Sequence, residues 1–414
     1  MNGGAIIAEV LARHGIDTLF TLCGGHISPI LVEAKRRGLR VIDTRHEATA
    51  VFAADAYARL KGVPGVAAVT AGPGVTNATT ALRNALLAAS PLVLLGGATA
   101  TVLRGRGALQ DIDQITAVRP HVKEVFPVRR LRELAPVLTR AFASARSGVP
   151  GPVFVQCPVD LLYDESIVRE WYGAASRRGR RSIAASLQAR WLAWHTNRLF
   201  AGGAGEIPGP IEIGRAEPTR AALAAVARAI AGSRRPLILA GSSTTGEPAK
   251  AGETAEAIRK LGIPVFLSGM ARGLLGERDP LQMKHHRKKA LAAADLVILA
   301  GVPADFRLDY GRQIGRNAKV IAVGRERKDL TLNLRPSQAI ETDPGMFFRM
   351  LSRMVGAEHR PEWIDLLEGA ERSREEEIVA QSADDDGGIN PIALCRALDG
   401  VLSDRAVLVA DGGD

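Results

Sequence analysis

The sequence predicts an α/β protein: two doubly wound parallel-sheet domains, followed by the opening of a third. Three observations point there. Short apolar runs alternate with helix-period segments, the pattern of parallel strands covered on both faces. Those runs end at glycine-bearing turns, among them Gly24-Gly25, Gly72-Pro73-Gly74, Gly241, Gly269, Gly301 and Gly324. Aromatic residues make up only 4% of a chain that is 46% hydrophobic, so Ala, Val, Leu and Ile must pack the cores.

The first domain is expected over residues 1–165. Ala5 to His14 carries apolar residues at three-to-four spacing and reads as an amphipathic helix. Thr18 to Leu22 is a short strand that ends in the turn at Gly24-Gly25. Ile30 to Arg37 reads as helix and Leu39 to Asp43 as strand. His46-Glu47 then opens a helix over Ala48 to Leu60. Val66 to Thr70 is an apolar strand that runs into the Gly-rich turn at 71–77, and Thr76 to Ala89 reads as one helix. Leu92 to Leu95 and Val153 to Val155 are further buried strands.

Residues 166–217 break that rhythm and read as a basic linker. Arg177, Arg178, Arg180 and Arg181 form a basic run, followed by Ile183, Leu187, Trp191, Trp194 and Phe200 on a helix-like stretch. Such a helix either lies on a membrane surface or docks on its own protein. Gly202-Gly203-Ala204-Gly205 and Pro208-Gly209-Pro210 mark extended chain.

A central α/β domain is expected over 218–355. Its helices read as Arg220 to Ala231 and Ala249 to Leu261. Its strands read as Pro236 to Ala240, Pro264 to Leu267, Asp295 to Ala300 and Lys319 to Val323. Ligands of such sheets bind beyond the carboxyl ends of the strands. No turn has GxGxxG spacing before a helix, so no dinucleotide fingerprint is present, and a domain without a ligand is equally consistent. In residues 356–414, Glu358 to Ala380 is a charged helix and Asp384-Asp385-Asp386-Gly387-Gly388 a turn. Asn390-Pro391 starts another helix. Arg405 to Val409 reads as one more buried strand, ending at Asp411-Gly412-Gly413. This reads as the start of a third domain.

The formal net charge is +10. Arginine is spread along the chain and no aromatic stacking motif accompanies it, so the charge argues for anionic small molecules rather than nucleic acid. Three cysteines, Cys23, Cys157 and Cys395, offer neither a disulfide framework nor metal-type spacing, and a reducing cytoplasm is expected. The most apolar stretch, Ala85 to Ala98, is broken by Ser90-Pro91 and Gly96-Gly97. It reads as a helix end, a turn and a buried strand, not as a membrane span.

The chemistry centres on Glu47. A glutamate in the first turn of a helix serves helix electrostatics in the plain reading. In the functional one, a carboxyl held there shares a proton with a ring nitrogen of a bound cofactor. Gly72-Pro73-Gly74 either lets a ligand approach the backbone or meets the positive φ of a tight turn. Asn77 offers an amide beside it. Gly24-Gly25 carries the same ambiguity, and His26 reads as a surface or packing histidine.

Taken in order, these blocks resemble the acetolactate-synthase-like branch of the thiamine-diphosphate enzymes, which includes 2-hydroxyacyl-CoA lyases. The blocks are Thr21 to Pro29, Thr44-Arg45-His46-Glu47, Thr70 to Asn77, Arg106 to Gln114 and Gly151 to Val155, then Ser268 to Gly276 and Phe306 to Arg312. The resemblance implies a pyrimidine-binding domain followed by a Rossmann-like central domain. It implies that Glu47 hydrogen-bonds the aminopyrimidine N1′ and drives the tautomer that takes the thiazolium C2 proton. Gly24, Gly25, Pro73 and Asn77 would line the pyrimidine side, and Gln110 would face a 2-oxo acid or acyl-CoA substrate. The central domain would hold FAD, CoA or ADP, with Arg272 and Arg307 meeting an anion or forming surface ion pairs.

The resemblance also implies a homodimer or tetramer with sites shared between chains. Diphosphate and Mg2+ would be held through a Gly-Asp-Gly block and a downstream Asn. Neither pattern occurs here, so the chain reads as truncated before that domain, and a non-catalytic, partner-binding role is the competing expectation. No metal ligand is expected among these residues. Cys23 stands where many members carry proline.

Overall fold

The computed structural model describes residues 1–414 except 178–182, 357, 359, 384–386, 404 and 411–414. Arg178, Arg180 and Arg181 of the basic run, the Asp384-Asp385-Asp386 turn and Asp411-Gly412-Gly413 therefore lie outside the described residues. The chain forms two compact units. One comprises Met1–Ala216 with Gly246–Ala249, the other Glu217–Thr245 with Lys250–Asp414.

The first unit holds a sheet of β1 (Thr18–Thr21), β2 (Arg40–Asp43), β3 (Gly65–Val69), β4 (Leu92–Ala98), β5 (Glu124–Pro127) and β6 (Pro152–Pro158). Its order is β2-β1-β3-β4-β6-β5, and every pairing is parallel. The helices are α1 (Gly3–Arg13), α2 (Ser28–Arg36), α3 (Glu47–Lys61), α4 (Pro73–Asn77), α5 (Thr79–Leu87), α6 (Gln114–Val118), α7 (Leu134–Arg146), α8 (Val159–Leu162), α9 (Glu165–Arg177) and α10 (Ile183–Phe200). Strands β3, β4 and β6 are buried at every residue, because helices cover both faces. Alternate side chains enter two cores. Val66, Ala68, Val93 and Leu95 join α1, α2 and α7 on one face. Ala67, Val69, Leu92, Leu94 and Phe154 join α3 and α5 on the other.

Small residues let α3 and β3 sit close together. A Cβ on Gly65 would overlap the carbonyl oxygen of Ala54. Gly62, at φ 72°, ends α3 in the left-handed conformation that glycine adopts without penalty.

The second unit repeats the architecture. Its strands are β7 (Pro236–Ala240), β8 (Val265–Leu267), β9 (Gln282–Met283), β10 (Leu296–Ala300), β11 (Lys319–Gly324) and β12 (Gln338–Glu341). They lie in the order β12-β11-β10-β7-β8-β9, again all parallel. The helices are α11 (Arg220–Ala231), α12 (Ala251–Leu261), α13 (Arg287–Ala293), α14 (Arg327–Leu330), α15 (Pro344–Leu351), α16 (Pro361–Ser382) and α17 (Pro391–Val401). One face packs on α11, α12 and α15, the other on α13 and the start of α16. The indole of Trp363 donates to the Pro236 carbonyl at 2.9 Å, fastening α16 to β7.

Two expectations change, and one alternative is decided. Thr76 to Ala89 is two helices, α4 and α5, rather than one. The Thr79 hydroxyl donates to the Thr76 carbonyl at 2.8 Å, a local bond that competes with the helical ladder at the joint. Arg405 to Val409 forms no strand: its described residues are irregular, and Val407 and Val409 are each 88% exposed. A parallel strand exists only through hydrogen bonds to a neighbour, and no described strand lies beside it. Of the two readings of the helical stretch within 166–217, docking on its own protein is the one observed. Val168, Tyr172, Leu192, Leu199 and Phe200 are buried in the first core, whereas Ile183, Leu187, Trp191 and Trp194 face outward.

Gly65→Ala should lower the unfolding free energy by about 1–3 kcal/mol, because the added methyl has only backbone to displace. Gly25→Ala, whose Cβ would meet nothing within 4 Å, should change it by less than about 0.5 kcal/mol. Urea melts of the two variants check the contrast.

Candidate active site

In the first sheet the strand order reverses between β1 and β3: β2 lies on one side of β1 and all later strands on the other. Loops leaving the carboxyl ends of β1 and β3 diverge there and open a crevice, the usual ligand position of such sheets. Hydrogen bonds hold its rim. The Thr21 hydroxyl donates to the Ala68 carbonyl at 2.8 Å, and the Thr44 hydroxyl to the Thr21 carbonyl at 3.1 Å. The Cys23 amide donates to Asp43 Oδ1 at 3.2 Å, and the Ser28 hydroxyl to the Gly24 carbonyl at 3.1 Å.

Glu47 is the first residue of α3. His46 before it is extended (φ −155°), and its Nδ1 accepts the Ala48 amide at 3.1 Å, so the imidazole caps the helix. The Glu47 side chain is thereby set at the positive end of the helix dipole. It is only 7% exposed. Its Oε2 accepts from Asn77 Nδ2 at 3.0 Å, while Oε1 takes no hydrogen bond among the described residues. Asn77 is the last residue of α4, which Pro73 starts from the first turn.

Thr70, at the end of β3, touches almost every part of the crevice. A Cβ on Gly24 would overlap the Thr70 side chain, and one on Gly74 would lie 2.8 Å from Thr70 Cγ2 and 3.3 Å from Glu47 Oε1. The Thr70 hydroxyl lies 3.3 Å from His26 Nδ1 and 3.5 Å from Gln110 Oε1. Burial holds the His26 imidazole below its usual pKa, and a hydrogen bond with Gln110 works against that.

Gln110 lies on the loop between β4 and α6 with a left-handed backbone, φ 61°. Gly72 is left-handed too, at φ 62°, and a Cβ there would be 2.8 Å from the Gln110 carbonyl oxygen. Gln114 clamps the two segments: its Oε1 accepts the Gly72 amide at 3.1 Å, and its Nε2 donates to the Gly97 carbonyl at 2.8 Å.

Thus Gly24, Glu47, Pro73, Asn77 and Gln110 come from four separate segments to one crevice. Gly25 is on its exposed rim, with open space where a Cβ would be. Sequence reasoning passed over Thr70 and Gln114 as individuals and assigned His26 no role. Nothing in periodicity marks a threonine at a strand end or a glutamine in a loop, although all three lie within blocks of the resemblance.

The second unit has its own reversal point, between β7 and β10. There Gly241 and Gly301 approach so closely that a Cβ on the first would overlap the carbonyl of the second. The Ser242 hydroxyl accepts the Met270 amide at 3.1 Å. Arg307 grips both oxygens of Asp305 at 2.7–3.1 Å. Arg287 donates to the Arg307 carbonyl at 2.8 Å, and its guanidinium is held below the usual range by burial and by the charges of Arg272 and Arg307. Of the two arginines singled out in the sequence, Arg307 is ion-paired, while Arg272 has no ion pair among the described residues. No metal-type grouping of His, Cys, Asp or Glu occurs among the described residues.

Removing the Glu47 partner should be measurable without any ligand. Asn77→Ala should destabilise the protein by about 1–2 kcal/mol, since it strips a buried carboxylate of its hydrogen bond. In a Glu47→Gln background the same change should cost less, and a double-mutant cycle in urea reads the difference.

Comparison with known proteins gives the family. Residues 1–117 match "Thiamine pyrophosphate enzyme, N-terminal TPP binding domain", and residues 223–351 match "Thiamine pyrophosphate enzyme, central domain". The whole chain aligns with 2-hydroxyacyl-CoA lyase 2 of Danio rerio at 44% identity and of Homo sapiens at 42%, covering 67% and 66% of those proteins. It aligns with the acetolactate synthase large subunit IlvG of Mycobacterium tuberculosis at 33%, covering 69%. The chain thus spans about two thirds of the length of these relatives. It belongs to the thiamine pyrophosphate (thiamine diphosphate) enzyme family, in the branch that contains these lyases and synthases.

Proposed function

We propose that the crevice between β1 and β3 is the pyrimidine half of a thiamine-diphosphate site in a carbon–carbon lyase. The substrate class favoured is a 2-hydroxyacyl-CoA, because identity to the lyases exceeds identity to the acetolactate synthases over the same residues. The observation that carries the reading is Glu47, a buried carboxylate with one oxygen fixed by Asn77 and the other left for a donor. The surroundings fit a flat heterocycle: glycines at 24 and 74 keep side chains off the crevice, and Gly74 borders Glu47 Oε1.

When bound, thiamine diphosphate supplies the nucleophilic carbon and the electron sink. The protein's task is then to position and to move protons. Glu47 exchanges a proton at Oε1, the helix N-terminus steadies its charge, and Asn77 fixes its orientation. Gln110 and His26, joined through Thr70, face the substrate side. Gly25 and Pro73 form the rim. Mg2+ accompanies the diphosphate in this reading. A 2-oxo acid carboligation is the neighbouring activity, and a homodimer or tetramer is the expected assembly. In the second unit, the arginines at 272, 287 and 307 suit the phosphates of FAD, ADP or CoA. Free Cys23, Cys157 and Cys395 suit a reducing compartment such as the cytoplasm.

The test is turnover of a 2-hydroxyacyl-CoA by the full-length form of the enzyme supplied with thiamine diphosphate and Mg2+. Glu47→Gln should keep the fold by circular dichroism and lower the rate by about 10²–10⁴-fold. Undiminished turnover in that variant removes Glu47 from the chemistry, and pyruvate as the better substrate moves the assignment to the synthases.

A further inference from the structure

Helix α10 has two apolar faces. Leu192, Thr196, Leu199 and Phe200 are buried in the first core. At 100° per residue, Ile183, Leu187, Trp191 and Trp194 lie together on the opposite side, and they are 84%, 61%, 48% and 54% exposed. Between and beside them stand Arg190 and Arg198, both exposed, the latter with its guanidinium 5.6 Å from the Trp194 ring centre. Four large apolar side chains in a row on an outward face need an occupant.

Charge narrows what that occupant is. Residues 173–205 contain six arginines and no aspartate or glutamate. A second copy of this chain docked on the same face across a two-fold axis would set Arg190 and Arg198 against their own images, so self-association is opposed. Shape narrows it further. The stripe from Ile183 to Trp194 is a ridge about 16 Å long, by the helical rise. A ridge suits a flat surface better than a groove would. Outward tryptophans mixed with arginines make the composition of an interfacial helix. No helix among the described residues is long and apolar enough to cross a membrane.

We propose that the outer face of α10 docks peripherally on an anionic lipid surface, with Trp191 and Trp194 in the headgroup layer and Arg190 and Arg198 on lipid phosphates. The helix stays in its place on the sheet, because the face that would bind lipid is not the face that holds it there.

The test is co-sedimentation of the full chain with vesicles of phosphatidylcholine alone or mixed with phosphatidylglycerol. Binding should be at least about tenfold stronger to the anionic vesicles and should fall as salt is raised. Trp191→Ser/Trp194→Ser should abolish it, and Arg190→Gln/Arg198→Gln should weaken it by about thirtyfold. Thermal melts confirm that the variants fold. Independently of any variant, tryptophan emission of the unmodified chain should shift to the blue on anionic vesicles and be quenched by brominated lipid. No partition to either vesicle overturns the proposal, as does partition unchanged in the tryptophan variant. Self-association that the tryptophan variant abolishes, without vesicle binding, overturns it in favour of a second copy.

Discussion

A parallel sheet whose strand order reverses must part its loops at the reversal, and the candidate site depends on that parting. With β2 on one flank of β1 and β3 on the other, the chain leaves β1 and β3 in opposite senses. The crevice is therefore a product of topology, formed before any particular side chain is chosen. Glu47 reaches it because β2 delivers α3 beside it, and Asn77 because the turn after β3 delivers α4. The small residues between them are the means of access: Gly24 and Gly74 pack on Thr70 where any side chain would intrude.

Much of this was legible in the amino-acid order. Central strands β3, β4, β7 and β10 are apolar without interruption, and β6 is apolar but for Gln156, so their burial on both faces shows directly. The pairing of Glu47 with a helix start showed as well, since a carboxylate there follows a strand and precedes an alanine-rich helical run. The edge strands β5, β9 and β12 did not show. Glu124-Val125-Phe126-Pro127, Gln282-Met283 and Gln338-Ala339-Ile340-Glu341 are short and partly exposed, and their neighbours supply what their own composition lacks. The end of the chain misled in the other direction. Arg405 to Val409 has strand composition, but composition cannot provide the adjacent strand.

The site was legible by residue type and not by connection. Glycine, proline, glutamate and asparagine announced themselves, because each has a distinctive backbone or charge role. Thr70, Gln114 and His26 act through what they touch across 17 to 44 residues of sequence, and only folding discloses such contacts. The second unit makes a useful contrast. It has the same reversal and close glycines of its own, but its helix-start carboxylates are tied to arginines: Asp305 caps residues 306–311 and pairs with Arg307, and Asp343 caps α15 and pairs with Arg325. In the proposed reading the shared architecture serves two different chemistries, proton handling in one unit and anion attraction in the other.

The close approach of Gly72 to the Gln110 carbonyl couples the two segments mechanically. Two backbone segments nearly forty positions apart sit in left-handed conformations against each other, and Gln114 bonds to one while anchoring the other. Neither segment has slack with which to absorb a change in its neighbour. A substitution at 72, 110 or 114 is therefore felt at the other two positions, and the three tolerate change only together.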